Sequence, residues 1–525
     1  MMSKSLFLPS ALLVLLSQVS ALEVSGLGVT QASALAAKAP LQVPKKPTTK
    51  DDLRRIKIGI TPQEHSVALV ALGCPKNTVD AEVMLGDLQR RGLRIVKEPE
   101  EADIVIVNTC AFVEDAKSES IAAVVEAAQL KEDRARPARG LFVTGCMAQR
   151  YSDELAAELP EVDAVIGFEH YGDLPDQVLR VLAETQVEEG DDKYAAAAAA
   201  AEQAVLVGSS SVPFRSEEDR VSLTPNHVAY IRVAEGCDHA CSFCAIPGFR
   251  GSFRSKPFDV VVAEAERLVA NGCKELNLIA EDTNQYGSDW GSSDGRRLAD
   301  LLHELSKITE LKWIRLLYCY PSYFSEELID AIANIDKVCK YIDIPLQHLA
   351  PSVLRRMRRP SGDGTLALLR KLRDRIPNLT LRTTFICGFP GESDDEHKEM
   401  VHHVRDIGFE RGGAFAYSQE EGTPAAEYDD QIEDDVKEGR RDELISIFQE
   451  HSEGWANKQV GTVKRVLIDR MEGFDAIGRT EADAPDIDGS VRLPECVLAP
   501  GTVVDAKIVA ADVMELVAQP VGSEE

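Results

Sequence analysis

Glu235-Gly236-Cys237-Asp238-His239-Ala240-Cys241-Ser242-Phe243-Cys244 follows the apolar run 227–234 and carries three cysteines in a C-x3-C-x2-C pattern. An apolar run of this length leading into a cysteine loop predicts a β-strand with thiolates at its carboxyl end. Five more strand-like runs, at 275–280, 312–319, 340–346, 380–387 and 412–417, each alternate with a helical pattern. Six such units predict an open, partial (β/α)6 barrel, because a closed one takes eight. Its mouth can admit a large substrate, and its chemistry belongs at the carboxyl ends of the strands. Three thiolates on a tight loop, Cys237, Cys241 and Cys244, suit three irons of a 4Fe-4S cluster and leave the fourth iron open to a ligand. Zinc is the competing reading, but a structural zinc takes four closed ligands and His239 would be strained to reach the same ion.

Upstream, the runs 66–72, 103–107 and 140–144 each end just before a cysteine: Cys74, Cys110 and Cys146. The carboxyl ends of parallel strands line up along one sheet edge, so the three thiols are expected to converge. Three buried core cysteines are the alternative, since free cysteine packs as a small apolar residue. That alternative gives no reason for all three to fall at strand ends, and three thiolates on one cluster does. The reading is a three-layer α/β domain over 65–182, a linker or insertion over 183–226 containing the alanine run 195–201, the barrel over 227–455, and a β-rich piece over 457–525. In that last piece the runs 463–468, 491–493, 503–510 and 514–518 predict a small antiparallel barrel.

The 525 residues carry a formal charge of −29, which opposes broad contact with phosphate backbones and favours a basic protein as partner. Eleven cysteines in so long a chain do not read as a disulfide scaffold. Residues 1–60 read as a targeting presequence in two parts. Lys4 precedes a short apolar run over 6–19, Val19-Ser20-Ala21 resembles a signal-peptidase site, and 22–50 is rich in Ala, Ser, Thr and Lys with one acidic residue, Glu23. The run is short for a bilayer span, so no membrane anchor is expected. Delivery to a plastid through the secretory route reconciles the signal with cluster cysteines, which need a reducing compartment; the cytoplasm is the alternative.

The cysteine loop, with an aromatic residue before its last cysteine, resembles the radical S-adenosylmethionine (SAM) superfamily. With the three upstream cysteines and the β-rich C-terminus, the chain resembles the methylthiotransferase family over nearly all of residues 65–520. The resemblance implies a TRAM domain at the C-terminus, SAM and two 4Fe-4S clusters. Cys237, Cys241 and Cys244 would hold the cluster that cleaves SAM to a 5′-deoxyadenosyl radical, and Cys74, Cys110 and Cys146 the second. Glu281-Asp282, Gln347-His348 and Gly388-Phe389-Pro390-Gly391-Glu392 lie at strand ends fit to hold SAM: the glycines Gly388 and Gly391 allow close backbone approach, and Glu392 offers an acceptor. Each is equally compatible with a turn. Gly73-Cys74-Pro75-Lys76-Asn77, Asn108-Thr109-Cys110, Thr144-Gly145-Cys146 and the string Arg479 to Gly489 resemble the RimO branch. That branch adds a β-methylthio group to an aspartate of small-subunit ribosomal protein uS12 and draws electrons from a protein such as ferredoxin or flavodoxin. The alternative is the MiaB type, which acts on tRNA; residues 457–525 hold seven basic and thirteen acidic side chains, a poor phosphate-binding balance. Ala111, where relatives often carry glycine, the presequence and the alanine run depart from the family pattern.

Anaerobic reconstitution and metal analysis are expected to find iron, about eight atoms per chain, and no stoichiometric zinc.

Overall fold

Alternation of apolar strands with helices gives two parallel sheets in a computed structural model that describes residues 61–133, 138–188, 203–210, 214, 217, 219–292 and 294–522. The presequence and the alanine run lie outside the described residues. The first sheet is wholly parallel, in the order β2 (Arg94–Ile95), β1 (Ser66–Ala71), β3 (Ile104–Thr109), β4 (Gly140–Thr144), β5 (Ala164–Ile166), β6 (Ala204–Leu206). Within the segment 183–226, expected as a linker or insertion, Ala204–Leu206 pairs along β5 and extends the N-terminal sheet. The tail of the same segment is also structural, because Glu217 and Arg220 are buried in ion pairs with the barrel. β3 is buried at every residue, as a central parallel strand covered on both faces must be.

The second sheet runs β14 (Arg411–Ala416), β13 (Thr380–Cys387), β12 (Val338–Asp343), β11 (Trp313–Leu316), β10 (Glu275–Ile279), β7 (Val228–Arg232), parallel throughout. β7 and β14 are its two edges, so this is the open barrel expected. The N-terminal domain touches both edges. Helix α1 (Pro75–Arg90) packs on β7. Lys117, on α2 (Glu114–Glu132), and Arg150 reach Glu420, just beyond β14, at 3.2 and 2.9 Å. A two-strand ribbon, β8 (Ala234–Glu235) and β9 (Arg254–Ser255), flanks the cysteine loop.

Helix α3 (Asp434–Gln459) packs on β14 and leads into a closed barrel in the order β15 (Val463–Glu472), β16 (Asp475–Arg479), β17 (Ser490–Leu493), β19 (Glu515–Pro520), β18 (Val503–Ala511). The sequence pattern missed β16. The segment 480–489 that follows β16 plugs the amino-terminal end of the larger barrel. Five of the six strands send a polar group to it or to Arg479. Glu275 accepts from Arg479 at 2.8 Å, Arg315 donates to the Glu481 carbonyl at 2.7 Å, and the Tyr341 hydroxyl donates to Asp488 at 2.7 Å. Arg382 lies 3.5 Å from Asp488, and Arg411 binds Asp483 at 2.6 Å. Each charge is buried and paired, and removing one partner leaves another stranded.

Arg479→Met, which leaves buried Glu275 with Arg315 alone and half-buried Asp469 with His227 alone, is expected to lower unfolding free energy by about 3 kcal/mol in denaturant titrations. Arg492→Met, in a more exposed ion-pair network, is expected to cost no more than about 1 kcal/mol.

Candidate functional site

Three neighbouring strands, β1, β3 and β4, deliver Cys74, Cys110 and Cys146 to one edge of the first sheet. The turns are tight enough to need glycine. Gly73 has φ +87°, and a Cβ there would lie 2.8 Å from Cys110 Cβ and 2.9 Å from its Sγ. Asn77, in the first turn of α1, ties the three turns together. Its amide donates to the carbonyls of Leu72 at 3.0 Å and Thr109 at 2.9 Å, while the Cys146 thiol donates to its Oδ1 at 3.4 Å. Burial, then the neighbouring Cys74, raises the Cys110 thiol; burial, opposed by the Arg250 charge and helped by Cys74 and Cys110, leaves Cys146 up at about 12.

The second trio sits on the loop after β8. Gly236, at φ +73°, starts it where a Cβ would lie 2.3 Å from the Ser252 carbonyl. Cys237 N–H donates to the Gly251 carbonyl at 3.0 Å, and Ser242 donates to the carbonyls of Met357 at 3.1 Å and Arg356 at 2.8 Å. Phe243 packs against the cluster around Phe389. Burial pushes Cys237 and Cys244 up to about 12. His239 is engaged elsewhere: its Nε2 is 2.7 Å from Asp282 and its ring stacks on Tyr320 at 3.6 Å. Arg359 lies over the same tyrosine ring and points an N–H at Cys241 Sγ, 3.8 Å away. Among the described residues no three His, Cys, Asp or Glu side chains gather at the spacing of a single metal ion. Thiols that each take a separate iron stand further apart than ligands sharing one ion, so a thiol-only trio without His239 fits a cluster better than zinc.

Arg250, fully buried, reaches Cys146 of the first trio directly and lies beside Glu281, which acts electrostatically on Cys244 of the second. It donates to Asn77 Oδ1 at 3.0 Å, Asp80 at 3.1 Å, Glu235 at 3.3 Å and the Cys146 sulfur at 3.7 Å, and lies 3.8 Å from Glu281. Arg232 binds Asp80, Glu217 and Glu235 beside it. Sequence reasoning did not single out Arg250, Arg232, Asp80 or Glu217. The available signal was charge at Asp80, Arg232 and Glu235 inside runs otherwise patterned for burial.

The SAM candidates divide. Glu281 points two carboxylate oxygens into the buried interior without a hydrogen bond, next to Arg250 and in the field of Cys244. Asp282 is the acceptor for His239. Gly388, Gly391 and Glu392 are set in a closely packed turn. Glu392 accepts from the N–H groups of Gly388 at 2.6 Å and Phe389 at 3.0 Å, and faces His348, His397 and Arg440. Burial alone would raise its carboxyl, but hydrogen bonds from the two histidines and the Arg440 charge hold it down at about 2. Both glycines have positive φ, and Lys437 and Asp430 fill the space that a Cβ would take. Cys273, Cys319, Cys339 and Cys387 are buried in apolar clusters, and Cys496 packs partly buried, as small apolar residues do.

This combination of open barrel, cysteine loop and second trio defines a radical enzyme scaffold, and comparison with known proteins agrees. Residues 66–167 match the model described as Uncharacterized protein family UPF0004, residues 231–404 the Radical SAM superfamily, and residues 460–521 the TRAM domain. The chain is 42% identical over 460 residues to the ribosomal protein uS12 methylthiotransferase RimO of Geotalea uraniireducens, covering 87% of this chain and 98% of that one. It is 43% identical over 433 residues to the RimO of Desulforamulus reducens (81% and 93% covered) and 42% identical over 427 residues to that of Clostridioides difficile (81% and 91%). A solved radical SAM methyltransferase, TsrM of Kitasatospora setae, is loosely similar, with TM-score 0.42 at 15% identity over 78% of this chain and 80% of that one. The chain belongs to the RimO family of radical SAM methylthiotransferases. That family implies SAM and a 4Fe-4S cluster.

Gly73→Ala is expected to lower apoprotein stability by about 1–3 kcal/mol in denaturant melts, from its forced φ and the clash with Cys110. Gly248→Ala, in the helix Ile246–Arg250 with nothing within 4 Å of its Cβ position, is expected to leave stability unchanged or slightly raised. Glu392→Gln is expected to cost about 3 kcal/mol near neutral pH. Because the carboxyl of Glu392 is depressed, its contribution is present above about pH 4.5 and fades as pH falls toward 2, so wild type and variant should converge in acid.

Proposed function

We propose that this chain transfers a methylthio group to the β-carbon of an aspartate in small-subunit ribosomal protein uS12, as the names of its RimO relatives indicate. The observation that carries the reading is the pair of thiol trios, one at the strand ends of the first sheet with Cys146 against Arg250, the other on the barrel loop with Cys244 in the field of Glu281, which Arg250 also meets. In this reading Cys237, Cys241 and Cys244 hold the cluster to which SAM binds, and Cys74, Cys110 and Cys146 hold a second 4Fe-4S cluster. When bound, these groups supply a carbon-centred radical from SAM and the sulfur to be transferred. The protein's own residues bind, orient and shield. Glu281 is suited to accept from the SAM amino group, since its two buried oxygens have no hydrogen-bond donor among the described residues. Asp282 fixes His239 and thereby the cysteine loop. The plug 480–489 and the flanking α1 close the barrel away from its mouth, which keeps water from a radical intermediate.

A net charge of −29 supports a strongly basic protein substrate, because complementary charge speeds encounter and orients it. The same charge, with the acidic balance of 457–525, weighs against tRNA as substrate. The electron donor is a small reductant protein of the ferredoxin or flavodoxin type. The compartment is a plastid, with the cytoplasm as alternative, a reading that rests on residues 1–60. No helix among the described residues is long and apolar enough to cross a membrane.

Reconstituted chain incubated anaerobically with SAM, a reductant and either uS12 or tRNA is expected to add a methylthio mass to uS12 alone. Cys237→Ala and Cys74→Ala are each expected to abolish that gain. Modification of tRNA and not uS12 would overturn the substrate assignment.

A further inference from the structure

Lys76 is buried, two residues after Cys74 in the first turn of α1. Its ammonium donates one hydrogen bond, to the carbonyl of Ala280 at 3.3 Å, and lies 4.0 Å above the centre of the Tyr318 ring. It has no carboxylate within ion-pair distance. Every other buried Lys or Arg among the described residues has one. Arg250 has Asp80, Glu235 and Glu281, and Lys256 has Glu217 and Glu264. Arg232, Arg315, Arg411 and Arg479 are paired likewise, as are Lys437 and Arg440. A carbonyl oxygen and a ring face are weak partners for a buried cation with three donors. In a chain that pairs its other interior cations, this one is left facing open chemistry.

Its place is informative. Ala280 directly precedes Glu281 at the carboxyl end of β10, and Tyr318, held at φ +59°, lies just past the end of β11. One side chain therefore joins the turn of the first thiol trio to the mouth of the radical SAM barrel. A carboxylate bound to it would sit between the two trios. We propose that Lys76 binds the carboxylate of the substrate aspartate and makes the enzyme select aspartate over asparagine. The inference rests on the proposed aspartate substrate. A side-chain carboxylate is bonded to the β-carbon, so anchoring it fixes that carbon one bond away, where the hydrogen is to be removed. An asparagine amide of the same shape brings no charge to Lys76 and leaves the buried ammonium unpaired, the kind of mismatch by which sites reject isosteres. The ring of Tyr318 holds the ammonium in place while the site is empty.

The test uses the full chain with its clusters reconstituted, and peptides of the uS12 target segment carrying either the native aspartate or asparagine at that position. Wild type is expected to prefer the aspartate peptide by about 100-fold in kcat/KM. Lys76→Met is expected to lose about 10- to 100-fold on the aspartate peptide, mostly through KM, and to lose the preference. Lys76→Arg should retain part of it. Iron content and SAM cleavage without peptide should match wild type in both variants. Peptide affinity measured on loaded wild type, tighter for aspartate than asparagine, gives the same answer without any variant. The inference is overturned if wild type binds both peptides equally, or if Lys76→Met keeps the aspartate preference while iron and overall rate fall together, as a structural prop would. A wild type inert toward uS12 but active on tRNA overturns the substrate reading itself, which an active wild type with an unaltered Lys76→Met preference does not.

Discussion

Arg250 is the constraint on which the arrangement depends. It is a charge removed from water, which is tolerable only because Asp80, Glu235 and Glu281 surround it and Asn77 and the Cys146 sulfur take up its remaining donors. Those partners come from α1, the strand-end loop of the first sheet and two segments of the barrel. Satisfying one guanidinium therefore fixes the two domains against each other. Arg232 repeats the device beside it with Asp80, Glu217 and Glu235. Carboxylates are crowded enough here that burial, with neighbouring negative charge, raises the carboxyl of Glu235 well above its ordinary range. Replacing the network by apolar side chains would not preserve its geometry, since apolar contacts have no fixed direction.

The same logic operates at the other end of the barrel. The string from Arg479 to Gly489, whose resemblance to the RimO branch drew attention to it, is a structural plug. Asp483 and Asp488 neutralise Arg411 and Arg382, while Arg479 and Arg315 share Glu275. Asp483 and Asp488 are therefore spoken for by the barrel, and the C-terminal domain is anchored through its own turn. An open barrel sealed at its base by this plug and contacted at both edges by the N-terminal domain leaves the carboxyl ends of its strands for chemistry.

Much of this was legible in the sequence. The cysteine spacing, set against predicted strand ends, located six thiols that the fold gathers into two trios, because strand-end alignment in parallel sheets is a geometric necessity. The strand 380–387 was placed to the residue, and the others within a few positions. What the sequence did not reveal has physical reasons. Lys437 and Asp430 fill the Cβ space of Gly388 and Gly391, a packing that no local pattern encodes. The partners of Glu392 include His348 and Arg440, 44 and 48 residues distant. The network round Arg250 was invisible because its contacts span 173 residues to Asn77 and 170 to Asp80. β6 was missed because a three-residue strand directly after an alanine-rich stretch carries no periodicity of its own.

The central proposal is that both thiol trios carry clusters, linked through the Arg250 network. Electron paramagnetic resonance of the fully reduced, reconstituted chain tests it most directly. The account predicts spin–spin interaction between two 4Fe-4S clusters, absent when either trio is replaced by alanine. A wild-type spectrum equal to the simple sum of the two single-trio spectra, or one showing a single cluster, would contradict it.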